Sequence, residues 1–280
     1  MPDTKLPTFR KPPVIETVLG VQFEPVAGFT NAHLGAYWKW LLAHAQAPLD
    51  TEWSRLTDAP ALEPAFERFE EHQSWLAPDF KMRVMTYPPA RLQVRNASND
   101  AMIQIQNSRL LYNWIGKPGQ DYARYDHNVR PMFDSAYTLF RDFLDDEGLE
   151  APTENQWEVT YVNHIPQGTV WQVPADWPRL FVGLPGPWAP STDVRLEHVG
   201  GSWRFEISPK RGRLHIDLKR IVLQGEEPKE ALRLTLTARG PIGESGTPLP
   251  EGLDLGRRTI VRTFEDITSA EAHRAWELAE

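Results

Sequence analysis

The chain has 280 residues, 41% hydrophobic and 24% charged, with 11 Trp, no Cys and a formal net charge of −8. That length allows one large domain or two, with a substantial buried core. The absence of cysteine excludes disulfides, thiolate zinc sites and cysteine nucleophiles, and it fits a reducing compartment.

The N-terminal stretch MPDTKLPTFRKPP lacks the apolar core of a signal peptide. No apolar run approaches the ~20 residues of a membrane span. The expected location is the cytoplasm, with no membrane partner. An acidic average opposes generic nucleic-acid binding through long-range repulsion, although an average can hide a face.

Ile15–Phe23 alternates as a strand, with Leu19, Val21 and Phe23 on one side and Glu16 and Gln22 on the other. Thr30-Asn31 opens a helix to about Ala47, carried by Leu34, Trp38, Leu41 and Leu42. Pro48, Pro60, Pro64 and Pro78 mark a long, extended connection. Strands follow at Lys81–Tyr87, Ala90–Asn96 and Met102–Trp114. Within the last, the alternation stumbles at Asn107-Ser108-Arg109, which reads as a bulge that re-aims Arg109 or as the point where the strand leaves the sheet. Arg124–Glu147 is an amphipathic helix stopped by Gly148.

The order then repeats. A strand at Trp157–Ile165 precedes a short helix near Pro174–Val182. Strands are expected at Val194–Val199, Ser202–Ser208, Arg213–Leu223 and Leu232–Ala238, with a Gly200-Gly201 hairpin. A helix at Arg257–Ile267 and a last one at Ser269–Leu278, capped by Thr268 with Glu271, close the chain. The fold class is therefore α+β, in two tandem repeats of strand, helix, antiparallel strands and helix, spanning residues 1–150 and 151–280. That order, taken twice, resembles the saddle of the TATA-binding protein. A likeness of fold carries no function by itself.

Two stretches, PPVIETVLGVQFEP at 12–25 and QIQNSRLLYNW at 104–114, together with Arg262-Thr-Phe-Glu-Asp-Ile-Thr268, His273 and Trp276, carry a second likeness. The set resembles an uncharacterised, sporadically distributed bacterial protein family of similar length, with no established activity. Such patchy occurrence implies accessory roles such as defence or toxin neutralisation.

If helices cover one sheet face, strand parity names the other. It carries Lys81, Arg83, Tyr87, Arg91, Gln93, Arg95, Gln104 and Gln106 in the first half. In the second half it carries Arg204, Glu206, His215, Asp217, Lys219, Arg233 and Arg239. Eight of these are basic and two acidic. Arg and Gln suit planar recognition of phosphate, carboxylate or base edges. The candidate binding residues are Arg83, Arg91, Gln93, Arg95, Gln104, Gln106, Arg109, Arg204, Lys219, Arg233 and Arg239. Against this stands the ordinary polarity of solvated antiparallel faces, where Arg and Lys stems cover apolar surface.

The leading expectation is non-catalytic binding of an anionic protein surface, with a nucleic-acid saddle as the alternative. A third reading is a metal-dependent enzyme using His215-Ile-Asp217 and His273, since two histidines and a carboxylate can hold one face of a metal. That spacing alone is weak. The chain lacks the Walker and dinucleotide glycine loops and the nucleophile elbow, so no catalytic residue, metal or cofactor is assigned.

Overall fold

A computed structural model describes residues 5–67, 69, 90–117, 120–184, 196–225, 227–243 and 246–279. It is an α+β fold built on one large antiparallel sheet with helices on one side. In chain order the elements are β1 (Thr8–Phe9), β2 (Val14–Phe23), α1 (Asn31–His44), β3 (Trp53–Pro60), β4 (Ala90–Asn96), β5 (Ala101–Gln106) and β6 (Arg109–Ile115). A π-helical turn at Tyr125–Val129 runs into α2 (Arg130–Asp146). Then come β7 (Glu154–Pro166), α3 (Trp177–Leu180), β8 (Gly201–Ile207), β9 (Gly212–Leu223), β10 (Lys229–Pro241), α4 (Leu249–Ile267), α5 (Ala270–Ala275) and β11 (Leu278–Ala279).

The main sheet runs β3-β4-β5-β6-β2-β7-β10-β9-β8, every neighbour antiparallel. β2 and β7 pair with each other, so both halves of the chain share one continuous sheet. The short β1 and β11 form a separate pair that ties the two ends together.

Several expectations are corrected in detail. The stumble at Asn107-Ser108 is neither a bulge nor an exit. It is a two-residue hairpin turn: Gln106 faces Arg109 across β5 and β6, so one expected strand is two. A two-residue turn reverses the odd–even count between its arms, so Ile103 and Ile105 share a face with Tyr112 and Leu110, and that reversal is the stumble in the alternation. The first proline-rich connection yields the edge strand β3, which tolerates Pro60 at its end because an edge needs fewer donors. Gly200-Gly201 is not a hairpin turn. β8 joins β9 through residues 208–211, and 196–200 is irregular. Ser269, not Thr268, caps the last helix, its Oγ accepting from Ala272 N–H at 3.1 Å. Thr268 Oγ1 instead faces His273 Nε2 at 2.9 Å. The expected strand at Lys81–Tyr87 lies outside the described residues.

The covered face is where the alternation predicts it. Leu19, Val21, Ile103, Ile105, Tyr112, Trp157, Val159, Ile216, Leu234 and Leu236 are all buried there. α2 seats Phe140 on Phe23, Phe29 and Tyr37, with ring centroids 5.7, 6.1 and 5.9 Å apart. α4 lies close on β7 because Gly252 and Gly256 face Trp157. A Cβ on Gly252 would sit 2.3 Å from Trp157 Cδ1. Trp171 and Trp177 are likewise buried, sealing rather than displaying their indoles.

Candidate binding face

The uncovered side is ordered by register. One row across the strands reads Arg109, Gln22, Gln156, and the adjoining row Gln93, Gln104, Leu111, Gly20, Glu158, Arg239, Arg213, Glu206. A further row carries Thr160, Thr237, His215 and Arg204, and beyond it Arg233 stands opposite Lys219. Parity therefore placed Arg91, Gln93, Arg95, Gln104, Gln106, Arg204, Lys219, Arg233 and Arg239 on one side of one sheet, and the turn at Asn107-Ser108 brings Arg109 to the same side. Arg83, with Lys81 and Tyr87, falls outside the described residues.

The centre of this face is not open to solvent. Gln22, Gln104, Gln106, Arg109, Asn113 and Gln156 are buried. The reason is the segment Ala61–Glu67, which leaves the β3 edge and crosses the sheet. Leu62 N–H donates to Gln106 Oε1 at 2.8 Å, and Gln106 Nε2 donates back to the Leu62 carbonyl at 2.9 Å. Ala65 N–H donates to Gln22 Oε1 at 2.9 Å, and Glu67 N–H to Gln156 Oε1 at 3.1 Å. Arg109 Nη2 donates to Gln22 Oε1 at 2.5 Å and to the Glu63 carbonyl at 3.3 Å. A glutamine amide offers the donor and acceptor of a peptide group on a short stem. The glutamines thus stand in for a neighbouring strand, reading backbone rather than side chains.

Beside this strap runs a second amide chain. Gln93 Nε2 donates to Gln104 Oε1 at 3.0 Å, Gln104 Nε2 to Asn113 Oδ1 at 2.8 Å, and Asn113 Nδ2 to Glu16 Oε1 at 2.6 Å. Each buried amide is satisfied by the next, so the row stays polar and dry. Arg109 is buried with these amides. Burial pushes its pKa below the usual guanidinium value, Glu158 pulls it back up and Arg239 pushes it down. Arg91 is lowered by burial and then by Arg109.

The strap ends in a cationic socket. Glu67 Oε2 accepts from Arg213 Nη1 at 2.9 Å, and Glu67 Oε1 lies 2.7 Å from His215 Nε2 and 3.3 Å from Arg239 Nε. Phe69 lies 4.5 Å under the Arg213 guanidinium. Burial by itself would raise the Glu67 carboxyl, but hydrogen bonds from His215 and Arg213, with the charges of His215 and Arg239, hold it down at about 2. Arg213 and Arg239 are cross-strand partners. Like charges placed so repel unless an anion sits between them, and Glu67 is that anion.

Other predicted residues have simpler surroundings. Arg95 donates to Asn99 Oδ1 at 3.2 Å. Arg204, Lys219 and Arg233 are exposed, and among the described residues none has an ion pair. His164 sits beside Arg233, and burial followed by that charge lowers its pKa. The three residues of the metal reading do not meet. His215 points to Glu67 on the uncovered face, Asp217 bonds Ser202, and His273 packs on Phe9 with centroids 5.6 Å apart, among the terminal elements. No metal-holding group of side chains occurs among the described residues.

Sequence reasoning missed Glu67, Gln22 and Gln156. The last two share the predicted parity and were legible. Glu67 lies in a stretch with no strand periodicity, and nothing in it announces a partner far along the chain. No family model matches the chain, and no curated protein matches it in sequence. No helix among the described residues is long and apolar enough to cross a membrane.

Proposed function

We propose that the chain is a non-catalytic binding protein that engages an anionic protein partner through the Arg/Gln-rich face of its sheet. The setting suggested by its family likeness is bacterial defence or toxin neutralisation. One observation carries the reading. β9 and β10 hold two cross-strand pairs of cations, Arg213 with Arg239 and Lys219 with Arg233. The first has its carboxylate, supplied by the strap. The second is exposed and has none among the described residues. The two pairs lie six residues apart on β10, on the order of 20 Å at strand rise. A partner bringing a carboxylate to Lys219 and Arg233 relieves a repulsion that the isolated chain retains. Its flanking backbone meets a sheet surface of the kind the strap already uses.

The two halves, 1–150 and 151–280, are proposed to be duplicates arranged as a saddle. In support, the sheet reads outward from the central β2 and β7 through β6, β5 and β4 on one side and through β10, β9 and β8 on the other. A saddle offered to nucleic acid is the second reading, favoured by the exposed Arg204, Lys219 and Arg233.

The test uses a labelled peptide, PALEPAFERF, and a labelled DNA duplex. In the wild-type chain the tethered strap keeps its own socket through its high effective concentration, so peptide binds at the exposed Lys219 and Arg233 pair. Arg233→Glu abolishes that signal, and Arg239→Gln leaves it. Duplex binding that falls steeply with salt selects the nucleic-acid reading. Binding of neither probe by any variant removes both.

A further inference from the structure

The covered side of the sheet holds a cavity that plays no part in the face described above. It has a volume of about 320 Å³ and lies between the N-terminal segment, the stretch around Tyr122–His127, β7 and α4. That is roughly twice the ~150 Å³ apolar cavity that admits benzene, so it takes a bicyclic molecule. Phe9, Tyr122, Tyr125 and Phe264 give it aromatic walls.

Its lining carries an unused acceptor. Asn163, 1% exposed, lines the cavity. Its Nδ2 donates to the Leu234 carbonyl at 3.1 Å, while Oδ1 has no hydrogen-bond partner among the described residues. The Leu234 bond fixes which way the amide points, because a flip would set two oxygens against each other. A buried carbonyl oxygen left without a donor is costly, and native structures seldom keep one without a use. β2 has a register shift between Val14 and Glu16, beside Asn163. A shift of this kind re-aims backbone and side chains locally.

The lining also carries an unused charge. Arg257 is neutralised by Asp126 at 2.7 Å. Arg124 also lines the cavity, its guanidinium 5.5 Å over the Tyr122 ring, and no carboxylate among the described residues pairs with it. Aromatic walls, one buried acceptor and one unpaired guanidinium together define a ligand.

We propose that this cavity binds a planar aromatic carboxylic acid of one or two rings, with a ring N–H or O–H donating to Asn163 Oδ1 and the carboxylate meeting Arg124. The chemistry resembles that of a pocket built to hydrogen-bond its ligand, which rejects analogues lacking the group.

The test is calorimetric titration of the full chain with indole-3-acetate, 1-methylindole-3-acetate and indole. Indole-3-acetate binds with measurable heat. Methylating the ring nitrogen weakens it about tenfold or more, since the methyl removes the donor and leaves Oδ1 unsatisfied. Arg124→Gln weakens the acid several-fold and leaves indole unchanged. Val261→Trp, introduced from the half-exposed side of α4, blocks all three probes. No heat with indole-3-acetate at millimolar concentration, or equal affinity for the methylated acid, overturns the proposal. Both results come from the wild-type chain and do not depend on a variant folding.

Discussion

Replacing Glu67 by Gln removes one charge and almost no volume, and it tests whether the strap is held by its socket. Ordering the segment Ala61–Glu67, seven residues, costs roughly 7–10 kcal/mol at about 1–1.5 kcal/mol per residue. Against this stand five hydrogen bonds from its backbone to Gln106, Gln22, Gln156 and Arg109, contributing about 5 kcal/mol in all. The Glu67 carboxylate, held at about 2 against an ordinary 4.5, contributes ~2 kcal/mol once the part-exposed socket is allowed for. About 7 kcal/mol of gain meets a cost of roughly 7–10 kcal/mol, so the two sides balance to within a few kcal/mol and loss of the carboxylate tips the strap towards release.

Glu67→Gln is therefore expected to free the strap without unfolding the sheet. The assay is amide hydrogen exchange at Leu62, Ala65 and Glu67. Protection at these three positions falls about tenfold or more in the variant, while β2 and β7 stay protected. The pH dependence has a definite sign. A carboxyl whose folded pKa is depressed stabilises above its unfolded value and loses that contribution as pH falls towards its folded value. Protection in the wild-type strap is level above about pH 5 and declines from there towards pH 2, whereas Glu67→Gln shows no such decline. Unchanged protection in Glu67→Gln at neutral pH would refute the account of how the strap is held.

Gly252→Ala places a Cβ 2.3 Å from Trp157 Cδ1 and should cost about 2–3 kcal/mol, read as a lower thermal midpoint. Phe140→Ala empties the centre of the Phe23, Phe29 and Tyr37 cluster and should cost about 3–5 kcal/mol in urea titration, with little effect on strap protection. Ser269→Ala deletes the α5 cap and should cost ~1 kcal/mol, read by thermal melting. Arg233→Glu sets an opposite charge against Lys219 and should leave stability equal or raise it by up to about 1 kcal/mol, while abolishing partner binding. A loss of stability there would mean that Arg233 has a structural partner.

Alternation determined the strands β2, β4, β7, β9 and β10 within a few residues, because each buries one face and a slip of one residue would expose it. The same parity placed Arg91, Gln104, Lys219, Arg233 and Arg239 on one surface before any tertiary contact was known. Helix α2 and its stop at Gly148, which sits at φ 68°, were equally legible from periodicity and from glycine's tolerance of that conformation. These are local properties, written in spacing.

What the uncovered face touches was decided by tertiary structure alone. Glu67 bonds His215, 148 positions along the chain, and Ala61–Glu67 has no period of its own because glutamine side chains, not a strand, receive its backbone. The hairpin at Asn107-Ser108 was hidden for a related reason: the sequence lacks the glycine that usually marks so tight a turn, and only pairing between β5 and β6 supplies the reversal. The cavity at Asn163 depends likewise on where α4, β7 and the N-terminal segment meet. Short-range periodicity records which way a side chain points. Long-range packing settles what it finds there.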